Sequence, residues 1–370
     1  MMKIFKIGLL LFIIGFVASS CGKVGQEQET YQIEGYVTGF FEGTAVLYKF
    51  ENGTLVPEDS VYIKKSKFVF KKHRTEYPQM MFLVFGNRQA MIEIFVENTA
   101  MRLNADIGET QKAEISGSES HAIYAKFLEN NSVYENRIQA IDAQLLDPAI
   151  ASNSAQYEQL TAERNNSLTK QLDFTRKFVS ENADSYAAAY IALQNLAHNL
   201  SPDKLSQIIE QFSAEVKLSN DYARLKKIIE IKRNLENGKQ APDFTLNDIH
   251  DQAHSLVSQQ GKTTLLYFWA SWCGPCRADN PTLRKIYENQ STSKFEIMGV
   301  SLDTHRSGLE NVIKTDKITW LQVSDLKGKN SDIAKLYNIQ KIPYYILLDE
   351  KGIIKAQSDD LEDIQTKISK

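Results

Sequence analysis

The rhythm of hydrophobic and polar positions changes twice along this 370-residue chain. From Tyr31 to about Ile107, apolar residues come in short runs: Gln32 to Val37, Thr44 to Tyr48, Lys67 to Phe70, Met80 to Phe85 and Met91 to Val96. Gly and Asn separate these runs, and a period of two places successive side chains on opposite faces of a strand. Short strands at this spacing predict an antiparallel β-sandwich over 31–117. The strongest alternation, Ser66-Lys67-Phe68-Val69-Phe70-Lys71, lies in a like-charged stretch from Lys64 to Arg74. That stretch reads as the solvated basic face of a hairpin, with contact to acidic lipid headgroups as a second reading.

From Ser118 to about Asn237 the chain loses Gly and gains Ala, Gln, Glu, Asn and Leu, with apolar residues at steps of three and four. This pattern predicts an all-α connector over 118–237. Ser201-Pro202-Asp203 marks a helix start, with a capping side chain and Pro in the first turn. Pro148 and the polar stretch Ser152 to Ser154 interrupt the helices before it. No heptad persists long enough for a coiled coil, so the apolar faces pack on neighbouring elements or on a second subunit.

From Gly238 to Lys370 strands alternate with helices: Thr263 to Trp269, a helix from Cys273 to about Asn289, Phe295 to Ser301, a helix around Gly308 to Lys314, Trp320 to Val323, a helix from Ser331 to Tyr337, then Tyr344 to Leu348. Crossovers of this length predict a mixed, mainly parallel sheet with helices on both faces. Open sheets of this class place their sites at the carboxyl ends of central strands, and here that position is held by Trp272-Cys273-Gly274-Pro275-Cys276. Two thiols two residues apart at a helix start form a reversible disulfide. The unpaired N–H groups there favour an anion, so Cys273 ionises below the ~8.5 of a free thiol and is the nucleophile. Cys276, one turn further in, resolves the mixed disulfide that Cys273 makes with a substrate.

Zinc requires about four ligands, and the chain offers no second CxxC. It has three cysteines in all. His250 and His254 have i,i+4 spacing but fall in a polar, turn-like stretch, which does not complete a metal site. No metal and no cofactor is therefore assigned.

The amino terminus gives the compartment. Lys3 and Lys6 precede an apolar run from Ile7 to Val17, and Ala18-Ser19-Ser20 ends at Cys21. This is the pattern of a secretory signal over 1–20, with an apolar core shorter than the ~20 residues that span a bilayer. Cys21 after the small residues resembles the lipobox of bacterial lipoproteins, apart from Ala18 where Leu is usual. The resemblance implies cleavage before Cys21, its acylation, and anchoring of the mature chain in a bacterial envelope membrane, facing the periplasm, with 21–30 as a tether. In that oxidising setting an acylated Cys21 leaves the CxxC pair as the only thiols. A formal charge of −3 gives no sign of nucleic-acid binding.

A family resemblance rests on Ala241-Pro242-Asp243-Phe244-Thr245-Leu246, Gly261-Lys262, Trp269-Ala270-Ser271-Trp272-Cys273-Gly274-Pro275-Cys276, Gly299-Val300-Ser301-Leu302-Asp303 and Ile342-Pro343. Together these motifs resemble a TlpA/ResA-type thioredoxin-fold oxidoreductase of the AhpC/TSA-redoxin superfamily. The likeness covers the last third of the chain and implies an α/β thioredoxin fold over 238–370. It makes Pro343 a cis-proline facing the CxxC, Ile342 a backbone partner of an extended substrate segment, and Trp272 a shield over the sulfurs, with Gly274 and Pro275 between them at the substrate face. Pro281 matches a helix-kinking proline. Thioredoxin keeps a buried Asp where this chain has Tyr267, whereas TlpA/ResA-type proteins carry a carboxylate three residues after the second cysteine, where Asp279 stands. Asp279 is then either the acid/base that handles the Cys276 proton or an exposed acid favoured by the helix dipole. The β-rich region more weakly resembles a domain preceding such modules in some bacterial lipoproteins.

Gly-Pro between the cysteines is the thioredoxin dipeptide, and thioredoxin's potential of ~−270 mV lies far below the ~−120 mV of the oxidant DsbA. The expected activity is therefore reduction of protein disulfides, recharged by a DsbD/CcdA-like membrane electron donor. Apocytochrome c thiols or other envelope disulfides are the clients considered. A thiol peroxidase and a copper-binding or partner-binding envelope protein are the rival functions. Against the first, peroxiredoxins place their cysteine in a different context; against the second, Sco-type copper sites use a CxxxC plus His.

Overall fold

The computed structural model describes residues 30–51, 53–86, 90–151 and 153–368. The expected signal sequence, Cys21 and all but the last residue of the expected tether lie outside the described residues.

Eight strands come first: β1 (Tyr31–Thr38), β2 (Glu42–Glu51), β3 (Thr54–Lys64), β4 (Lys67–His73), β5 (Gln79–Phe85), β6 (Ala90–Val96), β7 (Ala100–Asp106) and β8 (Glu114–Ser116). They form one hydrogen-bonded sheet in the order β6-β5-β2-β3-β4-β1-β7-β8. Alternate residues of seven strands enter one core, among them Ile33, Leu47, Ile63, Phe68, Leu83, Ile94 and Leu103. Phe68 of β4 meets Phe85 of β5 edge to face at 6.3 Å although two strands separate them in the sheet. The sheet therefore curls over its own core and packs as a sandwich while remaining continuous through β3. It corrects the antiparallel expectation in one respect, because β1 pairs with β7 in parallel. The chain enters at Tyr31, whereas the basic turn Lys64–Lys67 lies at the other end of β1, where Tyr36 faces Lys67.

Two long antiparallel helices follow, α1 (Glu119–Leu145) and α3 (Ser154–Glu181), with a short α2 (Pro148–Ala151) between them. Helices α4 (Tyr186–Ile191), α5 (Pro202–Ile209) and α6 (Asn220–Asn234) complete the layer. Ser201 caps α5 by accepting the Lys204 N–H at 3.4 Å, with Pro202 in the first turn. The apolar faces have a partner within the chain: Tyr124, Phe178 and the run Ala187-Ala188-Ala189 share a core with Met80 and Phe95 of the sheet.

Leu235, just beyond α6, is buried in a core of the last region, where Gly238 N–H donates to the Ile354 carbonyl at 2.8 Å. That region contains β9 (Thr245–Asp248), β10 (Ala253–Ser255), β11 (Thr263–Trp269), α7 (Gly274–Glu288), β12 (Phe295–Ser301), α8 (Arg306–Thr315), β13 (Leu321–Ser324), α9 (Asp332–Leu336), β14 (Tyr344–Leu348), β15 (Ile354–Ser358) and α10 (Leu361–Ile368). Its sheet runs β10-β9-β13-β12-β11-β14-β15. Only β11, β12 and β13 pair in parallel, and the margins are antiparallel. The expected mainly parallel sheet thus holds at the centre alone. β11 is buried on both faces. Leu265, Tyr267 and Trp269 pack beneath α7, while Leu266 and Phe268 join Ile346, Leu348 and Tyr337 on the other side.

Candidate functional site

β11 ends at Trp269, and a three-residue turn carries the chain to Cys273, the N-cap of α7. The turn is held from below by Asp303, just past the end of β12. The Asp303 carboxylate is 3% exposed and accepts from the Ser271 N–H (2.9 Å), the Ser271 hydroxyl (2.6 Å) and the Ser301 hydroxyl (2.7 Å). Leu302 N–H donates to the Trp269 carbonyl at 2.8 Å, fastening the same strand end.

The cysteine pair is closed as a disulfide, with Cα atoms 5.3 Å apart. Cys273 has extended backbone (φ −84°, ψ 105°), and its sulfur receives the Cys276 N–H at 3.2 Å, as a capping side chain does. After reduction that N–H and the helix start stabilise a thiolate at Cys273. Cys273 is 5% exposed and Cys276 fully buried, so an incoming group reaches the first sulfur and not the second. Gly274 and Pro275 between them are exposed, with open space where a Gly274 side chain would stand. Trp272 is 63% exposed, standing beside the pair rather than closed over it.

The Ile342–Pro343 peptide is cis, and the Ile342 carbonyl oxygen lies 3.8 Å from Cys273 Sγ. In the disulfide that sulfur carries no proton, so the approach is a contact rather than a hydrogen bond. Trp272, Leu302, Ala334, Ile339 and Ile342 line a groove of about 300 Å³ beside the sulfurs, with Lys329, Lys335 and Lys341 at its rim.

Behind the sulfurs, Asp279 is half-buried and accepts from the Tyr345 hydroxyl at 2.7 Å. It is not the freely exposed acid of the simpler sequence reading. Tyr267 lies with Tyr345 beneath α7 and donates to the Cys276 carbonyl at 2.8 Å. α7 continues through Pro281, and its first turn is tied to α8 by Arg277, which grips Asp316 with two nitrogens (3.0 and 2.8 Å). Hydrogen bonds from that guanidinium hold the Asp316 carboxyl below the usual range. His254 binds Asp248 at 2.9 Å within the β9–β10 hairpin, which engages it structurally.

Sequence reasoning did not single out Tyr345, nor the bonds of Asp303, nor the groove floor from Leu302 to Ile339. Asp303 stood in a quoted motif, and its place just after a strand that runs parallel to β11 was the available signal.

Comparison with known proteins bears on the two ends of the chain. A profile of the AhpC/TSA family matches residues 237–357, and one of a domain of unknown function, DUF4369, matches residues 31–124. The thioredoxin-like protein YneN of Bacillus subtilis is 34% identical over 124 residues, which is 33% of this chain and 70% of that protein. The thiol-disulfide oxidoreductase ResA of Geobacillus kaustophilus is 29% identical over 118 residues, 32% of this chain and 66% of that one. A thiol-disulfide oxidoreductase from Bacteroides fragilis has a solved structure with 35% identity, covering 35% of this chain and 98% of its own, at a TM-score of 0.34.

Proposed function

We propose, from the premise that this chain belongs to the AhpC/TSA family and is a thiol-disulfide oxidoreductase, that it reduces protein disulfides at a bacterial envelope membrane through Cys273 and Cys276. The observation that carries the reading is the asymmetry of the pair. Cys273 is capped by a backbone N–H, lies within reach of the Ile342 backbone and borders an open groove, whereas Cys276 is sealed beneath it. In the reduced enzyme the Cys273 thiolate attacks one sulfur of a client disulfide. The client S–S bond breaks, its other sulfur leaves as a thiolate, and a mixed disulfide forms. Cys276 then loses its proton and attacks Cys273 Sγ, which frees the second client sulfur. The client gains two electrons and two protons, and the enzyme ends in the disulfide form described above.

Return to the dithiol requires an outside donor of two electrons, here a DsbD/CcdA-like membrane partner, and Cys21 supplies the lipid anchor on the periplasmic face. Asp279 takes the Cys276 proton. The reductase direction follows from the Gly274-Pro275 dipeptide and is read by equilibrating the full chain with a glutathione buffer, where a potential near ~−120 mV reverses it. Trapping in cells tests the whole reading. Cys276→Ser is expected to hold clients covalently on Cys273, and an absence of reducible adducts, with Cys273 reactive to small alkylating agents, overturns it.

A further inference from the structure

Two phenols under α7 take no part in the chemistry just described. Tyr267 and Tyr345 face each other directly in the β11–β14 register, and both are 0% exposed. Their rings stack with centroids 5.1 Å apart and planes 4° from parallel. Each hydroxyl ends on α7: Tyr267 donates to the Cys276 carbonyl and Tyr345 to Asp279 Oδ2, at 2.8 and 2.7 Å. Cys276 and Asp279 stand three apart in α7, so the two hydroxyls end at neighbouring positions on one helix face.

Among the described residues, Tyr345 is the hydrogen-bond donor to that carboxylate. Among the described residues no Lys or Arg pairs with Asp279, and the nearest guanidinium in sequence, Arg277, is spent on Asp316. Burial raises both phenols well above their ordinary value of 10.0, so both keep their protons and remain donors. Cys276 itself is fully buried, and its proton must leave through a neighbouring group when it attacks.

We propose that Tyr345 is the positioning residue that fixes the Asp279 carboxylate relative to Cys276, while Tyr267 fixes the backbone of Cys276. This rests on the reading of Asp279 as the group that takes the Cys276 proton. During resolution the Cys276 thiol gives its proton to Asp279, and the thiolate bonds to Cys273 Sγ as the bond from Cys273 to the client sulfur breaks. The client leaves as a thiolate, takes a proton from water, and Asp279 returns its own proton to solvent. The client disulfide is the only oxidant.

The test uses the reduced full chain and 5,5′-dithiobis(2-nitrobenzoate), whose chromophore is released once when Cys273 attacks and again when Cys276 resolves. Tyr345→Phe is expected to leave the first phase unchanged and slow the second about tenfold, a small part of what general acid–base catalysis supplies. Tyr267→Phe removes an equally buried hydroxyl that bonds the helix backbone instead of Asp279, and is expected to slow the second phase less than Tyr345→Phe does. In an Asp279→Asn background Tyr345→Phe adds no further slowing. Equal slowing by Tyr345→Phe in both backgrounds overturns the proposal. If Asp279→Asn alone leaves the second phase and its pH profile unchanged, the reading of Asp279 fails first, and the two failures are told apart.

Discussion

Asp303 offers the sharpest test of how the active turn is held. Its buried carboxylate accepts three hydrogen bonds, two from Ser271 and one from Ser301, and the Ser271 N–H has no rotational freedom to find another acceptor. Bonds to a charged group contribute ~1.5–3 kcal/mol each, but part of that sum offsets the desolvation of the carboxylate itself. Asp303→Ala is therefore expected to cost about 2–4 kcal/mol, with a stranded N–H and a small cavity as the causes. Asp303→Asn keeps the shape and one acceptor oxygen, and its loss is expected at about 1–2 kcal/mol. All three tryptophans, Trp269, Trp272 and Trp320, fall in the last region of the chain, so tryptophan emission in a urea titration follows that region alone. A loosened turn also disturbs the Cys276 N–H cap on Cys273, so alkylation of reduced Cys273 is expected to shift to higher pH in step with the lost stability. If both variants stay within about 0.5 kcal/mol of the parent and the alkylation profile does not move, Asp303 does not hold the turn.

Two further outcomes follow from other contacts. At Gly299 an added Cβ would stand 2.3 Å from Gln322 Oε1, the acceptor of the Trp269 indole N–H (2.8 Å); Gly299→Ala is expected to cost about 2–3 kcal/mol in the same titration, and a loss below 1 means that Gln322 moves freely. His121, 8% exposed and accepting the Phe95 N–H on Nδ1, has its imidazole pushed by burial from 6.5 down to about 4. The folded state binds that proton more weakly than the unfolded chain, so the stability held by the neutral ring is complete above pH 6.5 and is lost as pH falls from 6.5 towards 4, by about 3 kcal/mol in all. His121→Gln should flatten that part of the stability–pH curve measured by far-UV dichroism, and an unchanged slope rules the residue out as its source.

What the sequence reveals and what it hides divide by distance along the chain. Cys273, Gly274, Pro275 and Cys276 lie within one helical turn, so cap, dipole and thiol spacing could be read locally, as could β11, which runs from Thr263 to Trp269 as expected. β3 escaped notice because Pro57, Glu58 and Asp59 interrupt its pattern. It pairs with β2 all the same, Pro57 opposite Tyr48 at a register shift that accommodates the missing donor. β9, β10 and β15 are short, partly polar strands at the margins of the sheet with little periodicity to detect, and their omission made the sheet look mainly parallel.

Tyr267 shows the same limit inside the site. Alone in the sequence it reads as a carboxylate that is missing from a buried strand. Only the pairing of β11 with β14 brings Tyr345 beside it, and only the i,i+3 spacing of α7 brings Asp279 onto the second hydroxyl. Burying an ionised acid on that strand would require partners of its own in a low-dielectric core. Two neutral phenols fill the space as apolar surface, satisfy a helix carbonyl, and leave the charge on α7 half-exposed, where water shares its solvation. The acid near the resolving sulfur is thereby moved from the strand to the helix. Its spacing from Cys276 is that of α7, and its carboxylate is held by the Tyr345 hydroxyl of β14, a pairing that no single position in the chain encodes.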